Sequence, residues 1–158
     1  MAIIAREPES RFVPAPEGLH VASCCDVVDL GHLDQGYGEK HYIEIRWQLE
    51  ESGDAGRYVV RRRYTNSLSE KASLRKDLEV WRGRKFNHDE LRGFDLERLI
   101  GVGCQVQVVH KLSDKGGTFA NVTAVIPLGK GQINPGVTDY TRQAERAQAA
   151  PVDDEVPF

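Results

Sequence analysis

Residues 41–49 read His41-Tyr42-Ile43-Glu44-Ile45-Arg46-Trp47-Gln48-Leu49. Successive side chains of an extended chain point to opposite faces, so Ile43, Ile45, Trp47 and Leu49 share one side while Tyr42, Glu44, Arg46 and Gln48 share the other. A strict period of two, rich in β-branched and aromatic residues, specifies a strand with one buried face. Everything else in the chain is placed relative to this segment.

Upstream, over residues 19–33, the apolar positions Leu19, Val21, Val27, Val28, Leu30 and Leu33 alternate only in part. Cys24-Cys25 interrupts the phase as a β-bulge would, which predicts one long, bent first strand. Gly36-Tyr37-Gly38 turns the chain into the second strand. Downstream, a polar turn holding Gly53 and Gly56 precedes residues 57–64, where Tyr58, Val60, Arg62 and Tyr64 oppose Val59, Arg61 and Arg63. Both faces of this third strand carry arginine, so its inward side stays open.

A change of period follows. Ser67 with Glu70 three residues on is a capping-box pattern, and Leu74, Leu78 and Trp81 then recur at helical spacing. Gly83 ends that helix, and Asn87 with Glu90 signals a second start ahead of Leu91, Phe94, Leu96, Leu99 and Ile100, interrupted at Gly93. Residues 103–109 and 119–126 read as two further strands joined by a hairpin loop of Ser113, Asp114, Lys115, Gly116 and Gly117.

Three strands, a helical insert and two strands make a mainly β chain in the order of a five-stranded OB-fold barrel, with the insert between strands 3 and 4. Residues 1–17, with Pro8, Pro14 and Pro16, are expected to form an extended lead-in to an OB domain spanning 18–128. Beyond Leu128 the composition turns to Gly, Gln, Ala, Pro and Asp without apolar periodicity, so 129–158 is expected to be a disordered linker and tip.

The chain has 158 residues, which suits one domain with spare ends. No apolar run approaches the ~20 residues needed to cross a bilayer, and no signal peptide is recognised, so a cytoplasmic location away from membranes is expected. Cys24, Cys25 and Cys104 have no C-x-x-C spacing and read as small buried groups. The five histidines form no metal-ligand pattern, Gly36-x-Gly38 lacks a third glycine, and no P-loop or nucleophile elbow occurs. No metal, cofactor or catalytic activity is therefore expected. The alternative is a metal-dependent nuclease assembled from Asp26, Asp29, Asp34 and Glu44.

The formal net charge of −3 conceals a strong polarity. Residues 57–86 hold ten Lys and Arg against three Asp and Glu, a local +7, which leaves −10 for the remainder of the chain. Seven of the twelve aromatic residues lie between Tyr37 and Phe86, so rings and cations are interleaved. Single-stranded nucleic acid needs that combination, because cations neutralise phosphates while rings stack on unpaired bases. Arg46, Arg61, Arg63, Arg82, Arg84, Lys85 and Lys111 are the candidate phosphate contacts, and Tyr42, Tyr64 and Phe86 the candidate stacking platforms. Lys115 and Phe119 extend the path around the last hairpin. RNA stays open as a ligand beside DNA.

The final residues are Asp153-Asp154-Glu155-Val156-Pro157-Phe158, an acidic cluster ahead of an apolar group, built like a short docking motif for a basic-rimmed apolar pocket. This ending resembles the tip of bacterial-type single-stranded DNA-binding proteins, with Val156 where that family has isoleucine. The stretch from Tyr64 to Phe94, including Ser67-Leu68-Ser69-Glu70-Lys71 and Trp81-Arg82-Gly83-Arg84-Lys85-Phe86, is similar to phage-encoded single-stranded DNA-binding or replication-accessory proteins. The resemblance implies a protein of host-cell cytoplasm that coats single-stranded DNA without sequence preference. It also implies recruitment of replication, recombination and repair proteins through residues 153–158, and leaves a homo-oligomer open. An adaptor that uses only the tip to compete for a partner pocket is the other reading, and would not need the +7 window.

Overall fold

A computed structural model describes residues 3, 5, 13–34, 36, 38–114 and 116–145. The alternating segment becomes β2 (Glu39–Gly53), flanked by β1 (Gly18–Asp34) and β3 (Gly56–Thr65), while β4 (Gly103–Leu112) and β5 (Thr118–Ile126) form the closing hairpin. The five strands make one antiparallel sheet in the order β3-β2-β1-β4-β5. β1 serves both halves: Gly18 to Ser23 pair with β4, and Ala22 to Asp34 pair with β2. β3 and β5 stand at the two edges and approach one another, but no hydrogen-bonded ladder joins them among the described residues, and the sheet is unclosed.

The bulge expected at the cysteine pair is present. Cys24 lies opposite Trp47 and Asp26 opposite Arg46, so Cys25 is the extra residue. Cys24, Cys25 and Cys104 are buried free thiols, and burial pushes Cys25 and Cys104 up to about 12. On β2, Ile43, Ile45, Trp47 and Leu49 enter the core as their alternation requires. On β3 the buried residues are Val60 and Tyr64, with Tyr58 packed beside them, which decides the face that periodicity left open.

Between β3 and β4 run α1 (Ser73–Arg82), α2 (His88–Arg92) and a 3-10 turn, η1 (Leu96–Leu99). Leu74, Leu78 and Trp81 line the buried face of α1, which packs against β5 and β3 at the unclosed edge of the sheet. Trp81 meets Trp47 with ring centroids 6.1 Å apart, and its Nε1–H donates to the Gly103 carbonyl at 3.0 Å. The helix starts later than the capping-box pattern implies. Ser67 Oγ accepts from the Ser69 N–H within a local turn, and Ala72 occupies the N-cap without a side-chain bond. Gly83, at φ 74°, supplies the left-handed C-cap. The second pattern is realised: Asn87 and Glu90 exchange both capping bonds at the start of α2. No helix among the described residues is long and apolar enough to cross a membrane.

Residues 129–145 depart from the expectation of disorder. Their side chains and backbone bond to β1, β2, β3 and η1, as detailed below. Residues 146–158, with the acidic tip, lie outside the described residues, as do Tyr37, Lys115 and most of 1–12.

Trp47 is fully buried, yet its Nε1–H has no acceptor among the described residues. Trp47→Ala should destabilise the protein by about 3–5 kcal/mol in urea unfolding. Trp47→Phe, which removes a donor whose burial unpaired costs ~1–3 kcal/mol, should cost less than Trp81→Phe, which strips the Gly103 carbonyl of its partner.

Candidate nucleic-acid interface

Directly opposed residues of an antiparallel pair share a face, so the outer surface of the sheet can be read in rows. One row crosses Asp26, Arg46 and Arg61; the next crosses Val28, Glu44 and Arg63. Tyr42 opposes Thr65 and Gln48 opposes Val59 on the same side. The register thus brings Tyr42, Arg46, Arg61 and Arg63 onto one face.

Part of that face is already occupied. Residues 134–143 run across the outer side of β1 and β2. Ser23 Oγ bonds Asn134, the Gln48 amide exchanges bonds with Thr138 N–H and C=O, and Arg57 reaches Thr138 Oγ1 at 3.1 Å. Asp26, whose side chain is 1% exposed, accepts from Tyr140 Oη at 2.8 Å, Gln143 N at 2.9 Å and Arg142 Nε at 3.2 Å. Burial pushes the Asp26 carboxyl up, but the bonds from Gln143, Tyr140 and Arg142 outweigh it and hold the group below its ordinary value. Arg142 also forks onto both oxygens of Glu97 at 2.6 and 2.8 Å, which pins the segment to η1.

Arg46 belongs to this cover rather than to an open surface. Its guanidinium donates to Glu44 and Gln143, and to Tyr140 Oη at 3.3 Å, which leaves the side chain only 12% exposed. Arg61 and Arg63 stand one strand further out and are exposed. Across the gap between the sheet edges, Lys111 of β4 is also exposed. Together with Arg62, Asn121, Val122 and Thr123 these residues line a cleft of about 510 Å3 with no carboxylate on its walls among the described residues. Arg62 itself is held by Asp77 at 3.0 Å and lies over the Tyr64 ring. Phe119, directly opposite Lys111, keeps 41% of its surface exposed.

The other sequence candidates divide. Tyr64 and Phe86 are 3% and 6% exposed, so their ring faces are taken by protein and neither can stack on a base from this position. Tyr64 Oη donates to Asp77 at 2.6 Å, and burial and the Asp77 charge push its ionisation well up. Phe86 packs edge-on against Phe94. Arg82 is tied to Glu90 at 2.7 Å and lies over Phe86, whereas Arg84 and Lys85 are exposed on the turn after α1. The structure therefore brings Arg61, Arg63 and Lys111 together at the edge cleft and places Arg82, Arg84 and Lys85 on the helical insert.

The four carboxylates of the nuclease alternative are spread among separate partners. Asp26 is bound by the 134–143 segment, Glu44 by Arg46, Asp29 by His41 at 2.6 Å, and Asp34 caps the Gly36 N–H. No group of three or more His, Cys, Asp or Glu poised to hold a metal occurs among the described residues. Sequence reasoning missed the Asp26, Tyr140, Arg142 and Gln143 network. Its signal was an aromatic and an arginine in a stretch otherwise poor in both, after the turn-forming Asn134-Pro135-Gly136. Compared with family models and with curated proteins, the chain matches none.

Asp26→Ala should release residues 138–143, because each lost charge-assisted bond is worth about 1.5–3 kcal/mol. Trypsin cleavage after Arg142 should then accelerate about tenfold or more. The native contact also has a pH sign. With its folded value depressed, Asp26 contributes in full above the ordinary carboxyl range near ~3.9, and the contribution is lost as pH falls through the lower folded value. Cleavage-site protection by an acid-active protease should decline in that window and not above it.

Proposed function

We propose that the protein binds single-stranded nucleic acid without sequence preference, with phosphates tracking Arg61, Arg63 and Lys111 at the gap between β3 and β5. The observation that carries this reading is the edge cleft: three exposed cations line it, and among the described residues no carboxylate does. Charge of one sign in a concave, partly desolvated setting concentrates a polyanion, and affinity rises as phosphates displace their counterions. The strand order, with a helix inserted between strands 3 and 4 at the unclosed edge, supports a partly open OB barrel, an architecture that binds oligonucleotides through strands 2 and 3 and the adjoining loops.

Stacking in this reading falls to Phe119 and the half-buried Tyr42, since Tyr64 and Phe86 are enclosed. Bases have faces to offer only where the complementary strand is absent, which favours single strands over duplex. The protein would coat and protect single-stranded DNA during replication or recombination and, through residues 153–158, recruit partner enzymes. RNA presents the same phosphates and base faces and is the natural competitor to test.

Titration of a fluorescent oligo-dT across a salt series tests the proposal. The wild-type chain should bind with a steep negative slope of log K against log salt, and substituting Arg61, Arg63 and Lys111 together by alanine should flatten that slope by about 2, at ~0.7 per phosphate contact on a single strand. Absence of binding at low salt, or binding indifferent to salt, would overturn it.

A further inference from the structure

Among the described residues the outer rows of the sheet hold two buried carboxylates, Asp26 and Glu44. Glu44 is met at 2.7 Å by Arg46 of its own strand. The one ion pair of Asp26 among the described residues is with Arg142, at 3.2 Å, from a segment 116 residues further along the chain. Its other donors, Tyr140 Oη and Gln143 N, are neutral and leave the negative charge standing. Arg142 also serves Glu97, but that carboxylate is 57% exposed and water screens it.

Asp26 and Glu44 against Arg46 and Arg142 cancel, and without Arg142 the set carries one net negative charge. Its position makes that charge matter. Asp26, Arg46 and Arg61 form one row, so at ~4.7–4.9 Å per strand Asp26 lies about 10 Å behind Arg61. That separation is close to the Debye length of ~8–10 Å at moderate salt, and buried charges are screened less than solvated ones. An uncancelled Asp26 therefore acts on a phosphate at Arg61, whereas the exposed Asp139 of the covering segment is screened by water.

We propose that Arg142 is a charge-balancing residue of the nucleic-acid interface: by cancelling Asp26 it keeps the field at Arg61 and Arg63 attractive to an approaching phosphate. This inference rests on the nucleic-acid reading above and adds a residue that touches no phosphate itself. It also assigns a role to residues 134–143. Opening that segment uncovers a carboxylate beside the phosphate path, so the segment stays closed when a polyanion binds and supports binding from behind the contact residues.

The test titrates fluorescent oligo-dT with full-length chains at about 0.01 and 0.15 M salt, where the Debye length is ~30 and ~8 Å. Arg142→Gln should weaken binding about threefold to tenfold at the lower salt and less at the higher. Arg142→Lys, which keeps the charge but loses the fork onto Glu97, should stay near the wild type. The double variant Asp26→Asn, Arg142→Gln removes both charges and should restore the affinity that Arg142→Gln loses, although it leaves the segment with fewer strong bonds. A merely structural role, or a direct phosphate contact by Arg142, predicts no such rescue, and its absence would overturn the proposal. Unchanged binding by Arg142→Gln would do the same, as would tighter binding, which would make the segment a competitor of nucleic acid. If the double variant folds poorly, Arg142→Lys decides: affinity as low as that of Arg142→Gln sinks the proposal. Failure of the wild-type chain to bind at either salt would instead sink the nucleic-acid reading, and this inference with it.

Discussion

One extra residue in β1 governs how the two faces of this sheet are used. Without the bulge, strict alternation would place Cys24 and Asp26 on the same side, with a carboxylate directed at Trp47 and its neighbours. Because Cys25 is accommodated unpaired, Cys24 stays opposite Trp47 in the core and Asp26 moves to the outer row beside Arg46. The buried carboxylate then has three donors from a distant part of the chain, and burial without them would be prohibitive. The bulge thus creates the anchor on which residues 134–143 are held.

That anchor divides the outer face. Over β1 and β2 the polar residues Ser23, Asp26, Glu44, Arg46 and Gln48 face the protein's own chain and are largely removed from solvent. Beyond β2 the cover ends, and Arg61 and Arg63 remain open on an edge strand that approaches β5 without pairing with it. Two arginines opposed across a ladder, Arg46 and Arg61, repel one another unless a carboxylate intervenes. Glu44 meets that need for Arg46, so the uncompensated positive charge lies at the sheet edge.

The core explains which aromatic residues are lost to binding. Trp47 and Trp81 bring β2 and α1 together, and Tyr64 spans to Asp77 of the same helix. A helix plugging the unclosed edge of a sheet must bury one stripe of its own and cover rings from the strands it meets. Tyr64 and Phe86 are consumed in that role. Rings interleaved with cations in sequence therefore end up in two places: inside, where they hold the insert, and around Phe119 and Tyr42, where a face remains accessible.

Local periodicity determined all five strands, the bulge, the helix stripe and the α2 capping box, because each is written in residues a few positions apart. The inward face of β3, the fate of Tyr64 and Phe86, and the ordering of 134–143 were decided only by tertiary structure. The alternation of Tyr58, Val60, Arg62 and Tyr64 against Val59, Arg61 and Arg63 offers arginine on both sides, and Asp77 of α1, reached only after folding, selects between them by receiving Arg62 and Tyr64. Tyr140 and Arg142 likewise have no apolar pattern to announce them. Their partner Asp26 lies more than a hundred residues away, and a hydrogen-bonded carboxylate leaves no periodic trace in the segment that binds it.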